Sequence, residues 1–97
     1  MYIIIAYDIS DDGVRSKVRR LLWRNGLCYL SRSVYGGRLR WGRVLILARV
    51  ISGLVGDRDS ALIIPMPDSW FRRSVFVTRG LVHDRWNGGV LVLGADP

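Results

Sequence analysis

Three short runs of this chain, Ile3-Ile4-Ile5, Leu62-Ile63-Ile64 and Val90 to Leu93, are apolar at every position. Successive side chains of a strand point to opposite faces, so runs of this kind make a sheet that is apolar on both sides. Only two segments carry a helical repeat, and two short helices can cover one face of such a sheet. The other face needs an apolar cover as well, and the economical one is the same face of a second copy. A homodimer follows from this patterning alone. The length of 97 residues fits a single domain spanning 1–97, small enough that extra apolar burial against a partner would help it. An apolar fraction of 49% excludes a disordered chain.

The order of elements reads as α+β. Tyr2 to Tyr7 is short and β-rich, a buried strand ending at Asp8. Ser10-Asp11-Asp12 then offers capping side chains and first-turn acids. A helix from about Asp12 to Arg24 places Val14, Val18, Leu21 and Leu22 on one arc, roughly 100° wide at 3.6 residues per turn. Asn25-Gly26 stops it. Leu27 to Tyr35 reads as one strand, with Tyr29, Ser31, Ser33 and Tyr35 on one face. Gly36-Gly37 permits either a tight hairpin into Arg38-Leu39-Arg40 or a bend into the next helix. That second helix, about Trp41 to Val55, turns Val44, Leu47, Ala48, Ile51, Leu54 and Val55 inward. Ala61 to Ile64 is a strand halted by Pro65 and Pro67, Ser74 to Thr78 is another, and Gly88-Gly89 opens a last one at Val90 to Leu93.

Charge narrows the partners. Fifteen Lys and Arg against eight acids leave a net +7; every cation but Lys17 is arginine, and every acid is aspartate. The guanidinium is a planar fork of donors that matches phosphate and stacks on bases, which points to a polyanionic partner. A single cysteine, Cys28, rules out an intrachain disulfide and a cysteine metal cluster. The apolar start meets an acid at Asp8, too early for a signal-peptide core, and Val44 to Ala48 is far short of a membrane span. A cytoplasmic protein without membrane contact is expected. A phosphate-cradling Gly-Lys-Ser/Thr loop, a dinucleotide glycine fingerprint and a paired-histidine zinc motif are all missing.

Asp8 stands out as a chemical group. It sits at the carboxyl end of the first strand, where open sheets place ligand groups. One carboxylate is a poor Mg²⁺ site, but a dimer can bring two Asp8 side chains together. An ion held there would activate water and neutralise charge developing on a phosphate. The competing roles for Asp8 are capping the next helix and pairing with a nearby arginine. Asp11 and Asp12 belong to the helix start. Arg15 and Arg19, on successive turns, either track a phosphate backbone or form a solvated helix face. Tyr29 and Tyr35 suit base stacking and the dimer face equally. Trp70-Phe71-Arg72-Arg73 suits nucleic acid or protein. His83, in a loop-like stretch, reads as a surface histidine, and Cys28 as a small core residue.

Tyr7-Asp8-Ile9-Ser10-Asp11-Asp12, then Arg15, then Gly26 followed by Ser33-Val34-Tyr35, resembles the CRISPR-associated protein 2 family, the small partner of the CRISPR integrase. Ala61-Leu62-Ile63-Ile64-Pro65 and Ser74-Val75-Phe76-Val77 fit the same order, so the likeness covers most of the chain. The resemblance implies a ferredoxin-like two-layer sandwich: an antiparallel sheet with two helices on one face and a homodimer packed sheet to sheet. It also implies a C-terminal strand, about 89–94, added to the partner protomer's sheet. Asp8 would ligate Mg²⁺ or Mn²⁺ across the dimer axis, with Tyr7 and Arg15 beside it as catalytic residues. Arg15, Lys17, Arg19, Arg20, Arg32 and Tyr35 would contact nucleic acid. The implied activity is a divalent-metal-dependent endonuclease, on RNA or DNA, within spacer acquisition, where the dimer holds duplex DNA with the integrase. Against the family pattern, Ser31 stands for a frequent glutamine, Gly36 for an acid, and Lys17 and Tyr29 for arginines. Two other readings are a non-catalytic DNA-bridging adaptor and a toxin-like RNA-cleaving relative outside CRISPR.

Overall fold

The β-branched start of the chain becomes one of the two inner strands of a four-stranded sheet. The computed structural model describes residues 1–83. Its first unit, Met1–Met66, contains β1 (Tyr2–Asp8), α1 (Asp12–Arg24), β2 (Cys28–Ser31), β3 (Val34–Arg38), α2 (Trp41–Leu54) and β4 (Ser60–Met66). The sheet order is β2-β3-β1-β4, with every neighbouring pair antiparallel. This is the ferredoxin-like arrangement that the family resemblance implies. Ile3, Ile5 and Tyr7 of β1 are buried with Val18 and Leu22 of α1 and Val44, Leu47 and Ile51 of α2. Both helices therefore lie on the face that carries the odd-numbered residues of β1.

The first helix forms where its local signals place it. Asp11 is its N-cap, and the carboxylate accepts from the Val14 N–H at 2.9 Å. Asp12 and Arg24 sit at the ends that the helix dipole favours. At the far end the Asn25 side-chain amide donates to the Leu21 carbonyl at 2.8 Å, and Gly26 turns the chain out at φ +82°.

The next segment corrects the single strand expected over Leu27 to Tyr35. It is a hairpin, β2 and β3, and it reverses at Arg32-Ser33, where Ser33 adopts φ +61°. Tyr29 pairs with Tyr35 and Ser31 with Val34, with a bulge between Tyr29 and Ser31. Tyr29 and Tyr35 do share a face, as cross-strand partners and not by alternation along one strand. Gly36-Gly37 is neither a turn nor a bend. Both glycines lie inside β3, and at Gly37 the neighbouring backbone comes close: a Cβ there would stand 3.0 Å from the Gly26 carbonyl oxygen.

At the other edge, β4 runs through Pro65 to Met66 and is not halted at Ile64. Among the described residues β4 is an edge strand, and a proline is tolerated there because its missing N–H need not serve a neighbour. The second unit begins at Pro67. It contains a short helix that sequence periodicity did not reveal, α3 (Asp68–Arg72), then β5 (Phe76–Thr78) and β6 (Leu81–His83) as an antiparallel hairpin. Ser74 is not in a strand as expected, because its N–H and hydroxyl both donate to the Phe71 carbonyl and close the turn after α3. His83 is paired with Phe76 at the end of β6 and does not lie in a loop. The expected strand at Val90 to Leu93 falls outside the described residues. Among the described residues no helix is long and apolar enough to cross a membrane.

Candidate functional site

Strand alternation decides where the acid at the end of β1 goes. With Ile3, Ile5 and Tyr7 facing the helices, Tyr2, Ile4, Ala6 and Asp8 face the other way. Their cross-strand neighbours on that open face are Val34 of β3 and Leu62 and Ile64 of β4, the last two being 60% and 40% exposed. Asp8 itself is exposed, opposite Ser60. Both competing roles for it are taken by other residues. Asp11 caps α1, and Arg15 is paired with Asp12 while donating to the Ile9 carbonyl at 3.1 Å. Among the described residues the Asp8 carboxylate makes no hydrogen bond or ion pair.

The loop that follows Asp8 is held from across the fold. The Ser10 N–H and hydroxyl both donate to one oxygen of Asp59, at 3.1 and 2.9 Å. The Gly56 N–H donates to the other oxygen at 2.8 Å. These donors stabilise the charged form, so the Asp59 carboxyl sits below its ordinary value, with Gly56 the largest contributor. Sequence reading placed Gly56-Asp57-Arg58-Asp59 between elements. It gave no sign that Asp59 reaches Ser10.

Tyr7, one residue from Asp8, belongs to the opposite face. Its ring stacks on Tyr35 at 6.4 Å between centroids, and Tyr29 meets Tyr35 edge-on at 5.9 Å. Burial, then the neighbouring Tyr35, raises the Tyr7 phenol above its usual value, while Arg19 and Arg15 pull in the other direction. The phenol is thus neutral at physiological pH. Beside this array, Arg19, Arg20, Trp23, Cys28, Tyr29 and Tyr35 line a cleft. The structure therefore brings Arg19, Arg20 and Tyr35 together on the helix side. Lys17 is exposed elsewhere on α1, and Arg32 is exposed at the tip of the β2–β3 hairpin. Cys28 is exposed, not a core residue. Trp23 was not among the residues singled out in the sequence, although its place beside Arg19 and Arg20 on an otherwise basic helix surface was the available signal.

A metal ion finds limited support within one chain. Among the described residues no three His, Cys, Asp or Glu side chains converge. The unengaged Asp8 carboxylate is still a hard oxygen donor of the kind Mg²⁺ takes, one or two per site with water and phosphate completing the shell. It fits as half of such a site.

Residues 1–79 match the family described as CRISPR associated protein Cas2. The chain belongs to the Cas2 family. It is 35% identical over 74 residues to a CRISPR-associated endoribonuclease Cas2 of Thermofilum pendens, covering 76% of this chain and 80% of that one. It is 38% identical over 64 residues to a CRISPR-associated endonuclease Cas1/endonuclease Cas2 fusion of Thermoproteus tenax, covering 66% of this chain and 24% of the fusion. Among solved structures, a hypothetical protein from Thermus thermophilus superposes with a TM-score of 0.63 at 30% identity. That match covers 68% of this chain and 80% of the other.

Proposed function

We propose that this Cas2-family chain acts as a homodimeric, divalent-metal-dependent endonuclease of CRISPR spacer acquisition, with Asp8 at its centre. One observation carries the reading: the Asp8 carboxylate is exposed and unengaged on the half-covered apolar face of the sheet. Packing two copies through that face would bury Leu62 and Ile64 and set two Asp8 side chains near a shared axis. The pair would hold Mg²⁺ or Mn²⁺, which when bound supplies water activation and charge neutralisation at phosphate. The chain's own residues hold the substrate. Arg15, Lys17, Arg19, Arg20 and Arg32 are the cations that would meet phosphates, and Arg15 also donates to the Ile9 carbonyl behind Asp8. Tyr7, stacked on Tyr35, supports the strand end from the helix side. The names of the relatives favour RNA as a substrate.

A second reading, in which the dimer bridges duplex DNA for an integrase and leaves the chemistry to it, is favoured by the Cas1 fusion found in Thermoproteus tenax. One experiment separates the two. Labelled single-stranded RNA and duplex DNA are incubated in the cytoplasm-like range of salt with Mg²⁺, Mn²⁺ or EDTA, using wild type and Asp8→Ala. Metal-dependent cleavage that disappears in the variant supports the nuclease. Duplex binding by both proteins with cleavage by neither leaves the adaptor.

A further inference from the structure

The cleft beside the tyrosine array has a composition that neither the fold nor the Asp8 site requires. Trp23 is 73% exposed and Tyr29 59% exposed, so the hydrophobic core gains little from either. The proposed dimer does not cover Tyr29: it pairs with Tyr35, which pairs with Ile5, so it lies on the helix side of the sheet. Arg19 and Arg20 precede Trp23 by one helical turn, which sets all three on adjoining strips of α1. Arg20 makes no hydrogen bond or ion pair among the described residues, and no acid lines the cleft. Its volume of about 540 Å³ lies within the range of roughly 300–1,000 Å³ common for ligand-holding clefts.

We propose that this cleft is a stacking site for an unpaired base of single-stranded nucleic acid, separate from Asp8, with Trp23 and Tyr29 offering ring faces and Arg19 and Arg20 holding the adjoining phosphates. Aromatic rings accept any base because every base has a π-face, and guanidinium groups supply both charge and stacking. Tyr29 is braced by Tyr35, which is itself stacked on Tyr7. The platform is therefore ordered before a base arrives, which lowers the entropic cost of binding. Within a duplex each base face is stacked on its neighbours, so an internal base cannot use the cleft without unstacking. The cleft thus selects unpaired over paired strands. The inference rests on the reading that the chain engages nucleic acid and is independent of cleavage.

The test measures binding by fluorescence anisotropy in EDTA, where metal-dependent cleavage is silent. Short labelled single-stranded RNA, single-stranded DNA, duplex DNA and an abasic single strand are titrated with wild type, Trp23→Ala, Trp23→Phe, Tyr29→Ala and Asp8→Ala. Each alanine variant should weaken the base-bearing single strands about five-fold to a hundred-fold, leave the duplex nearly unchanged, and leave the abasic strand unchanged. Trp23→Phe should retain most of the affinity. RNA and DNA single strands should respond alike, since the cleft reads the ring and the phosphate. Unchanged single-strand affinity in both alanine variants would overturn the proposal, as would an abasic strand bound as tightly as a base-bearing one. A drop in particle mass for Trp23→Ala with no loss of affinity would overturn it too, giving the cleft to self-association. Asp8→Ala should bind like wild type. If, in a separate incubation with Mg²⁺ or Mn²⁺, Asp8→Ala also cleaves like wild type, the nuclease reading fails while the cleft stands.

Discussion

Replacing Gly37 with alanine tests how tightly the end of α1 is seated on the sheet. The added Cβ would stand 3.0 Å from the Gly26 carbonyl oxygen, 3.0 Å from Leu27 Cδ2 and 3.4 Å from Leu27 Cα. Two of these atoms are backbone, and that backbone cannot drift freely. The Gly26 N–H donates to the Trp23 carbonyl at 3.0 Å and the Leu27 N–H to the Leu22 carbonyl at 3.1 Å, while Leu27 is fully buried. Overpacking of this kind costs about 1–3 kcal/mol. The loss of unfolded-state freedom on going from glycine to alanine offsets about 0.4–1 kcal/mol of it. A net loss centred on about 1.3 kcal/mol follows, which lowers the melting temperature by roughly 4–8 °C per kcal/mol in a domain of this size. Gly36→Ala is the control. Its two nearest neighbours would be closer, Leu30 Cδ1 at 2.7 Å and Ile4 Cδ1 at 2.9 Å, yet both are ends of flexible side chains, and its backbone neighbour, the Ile3 carbonyl oxygen, stands farther off at 3.3 Å. Rotamer adjustment of about 0.5–1.5 kcal/mol is nearly cancelled by the same entropic gain, so its melting temperature should stay near that of wild type. Thermal unfolding followed by far-UV circular dichroism reads both. A Gly36→Ala protein destabilised as much as Gly37→Ala, or a Gly37→Ala protein as stable as wild type, would refute the distinction between backbone and side-chain neighbours.

Other outcomes follow from the same geometry. Leu62→Asp places a charge at the middle of the open face, where the side chain is already exposed in one protomer. The chain should stay folded while light scattering reports half the dimer mass, and a persisting dimer would put the interface elsewhere. Asp59→Asn keeps one acceptor oxygen but turns an amide toward the Gly56 or Ser10 donors. Because the folded-state value of Asp59 lies below its ordinary 3.8, the stabilisation is complete above that pH and is lost as pH falls through the folded value. The melting-temperature gap between wild type and Asp59→Asn should be wide at neutral pH and close in acid; a gap independent of pH would show that the charge is not what the donors hold.

How far the sequence could be read depended on whether a signal was local. The bounds of α1 coincide with expectation because its N-cap acid, its apolar repeat and its Asn25-Gly26 stop are all within a few residues of what they control. The hairpin was misread because the rule that glycines make turns met two glycines spent on close packing, while the left-handed turn position fell to Ser33. α3 is a single turn, too short to show a period. The open apolar face and the place of Asp8 at a strand end were legible from strand alternation. The hold of Asp59 on Ser10 was not, since the partners are 49 residues apart and neither residue type announces the other. The place of Trp23 beside Arg19 and Arg20 was legible along α1, but Cys28 and Tyr29 join them only through the folding of β2 beside that helix.

The inner position of β1 has a consequence for how the chain is made. This strand precedes both of its partners in the chain, residues 34–38 and 60–66. At roughly 5–20 residues per second, Ile3, Ile4 and Ile5 wait about 3–12 s before the second partner exists. Throughout that interval at least one edge of a β-branched segment stays unpaired and open to other nascent chains. Sheets assembled from such distant segments also close slowly. Shelter for β1 while its partners are still being made is therefore a factor in the yield of folded chain, separate from the stability of the finished fold.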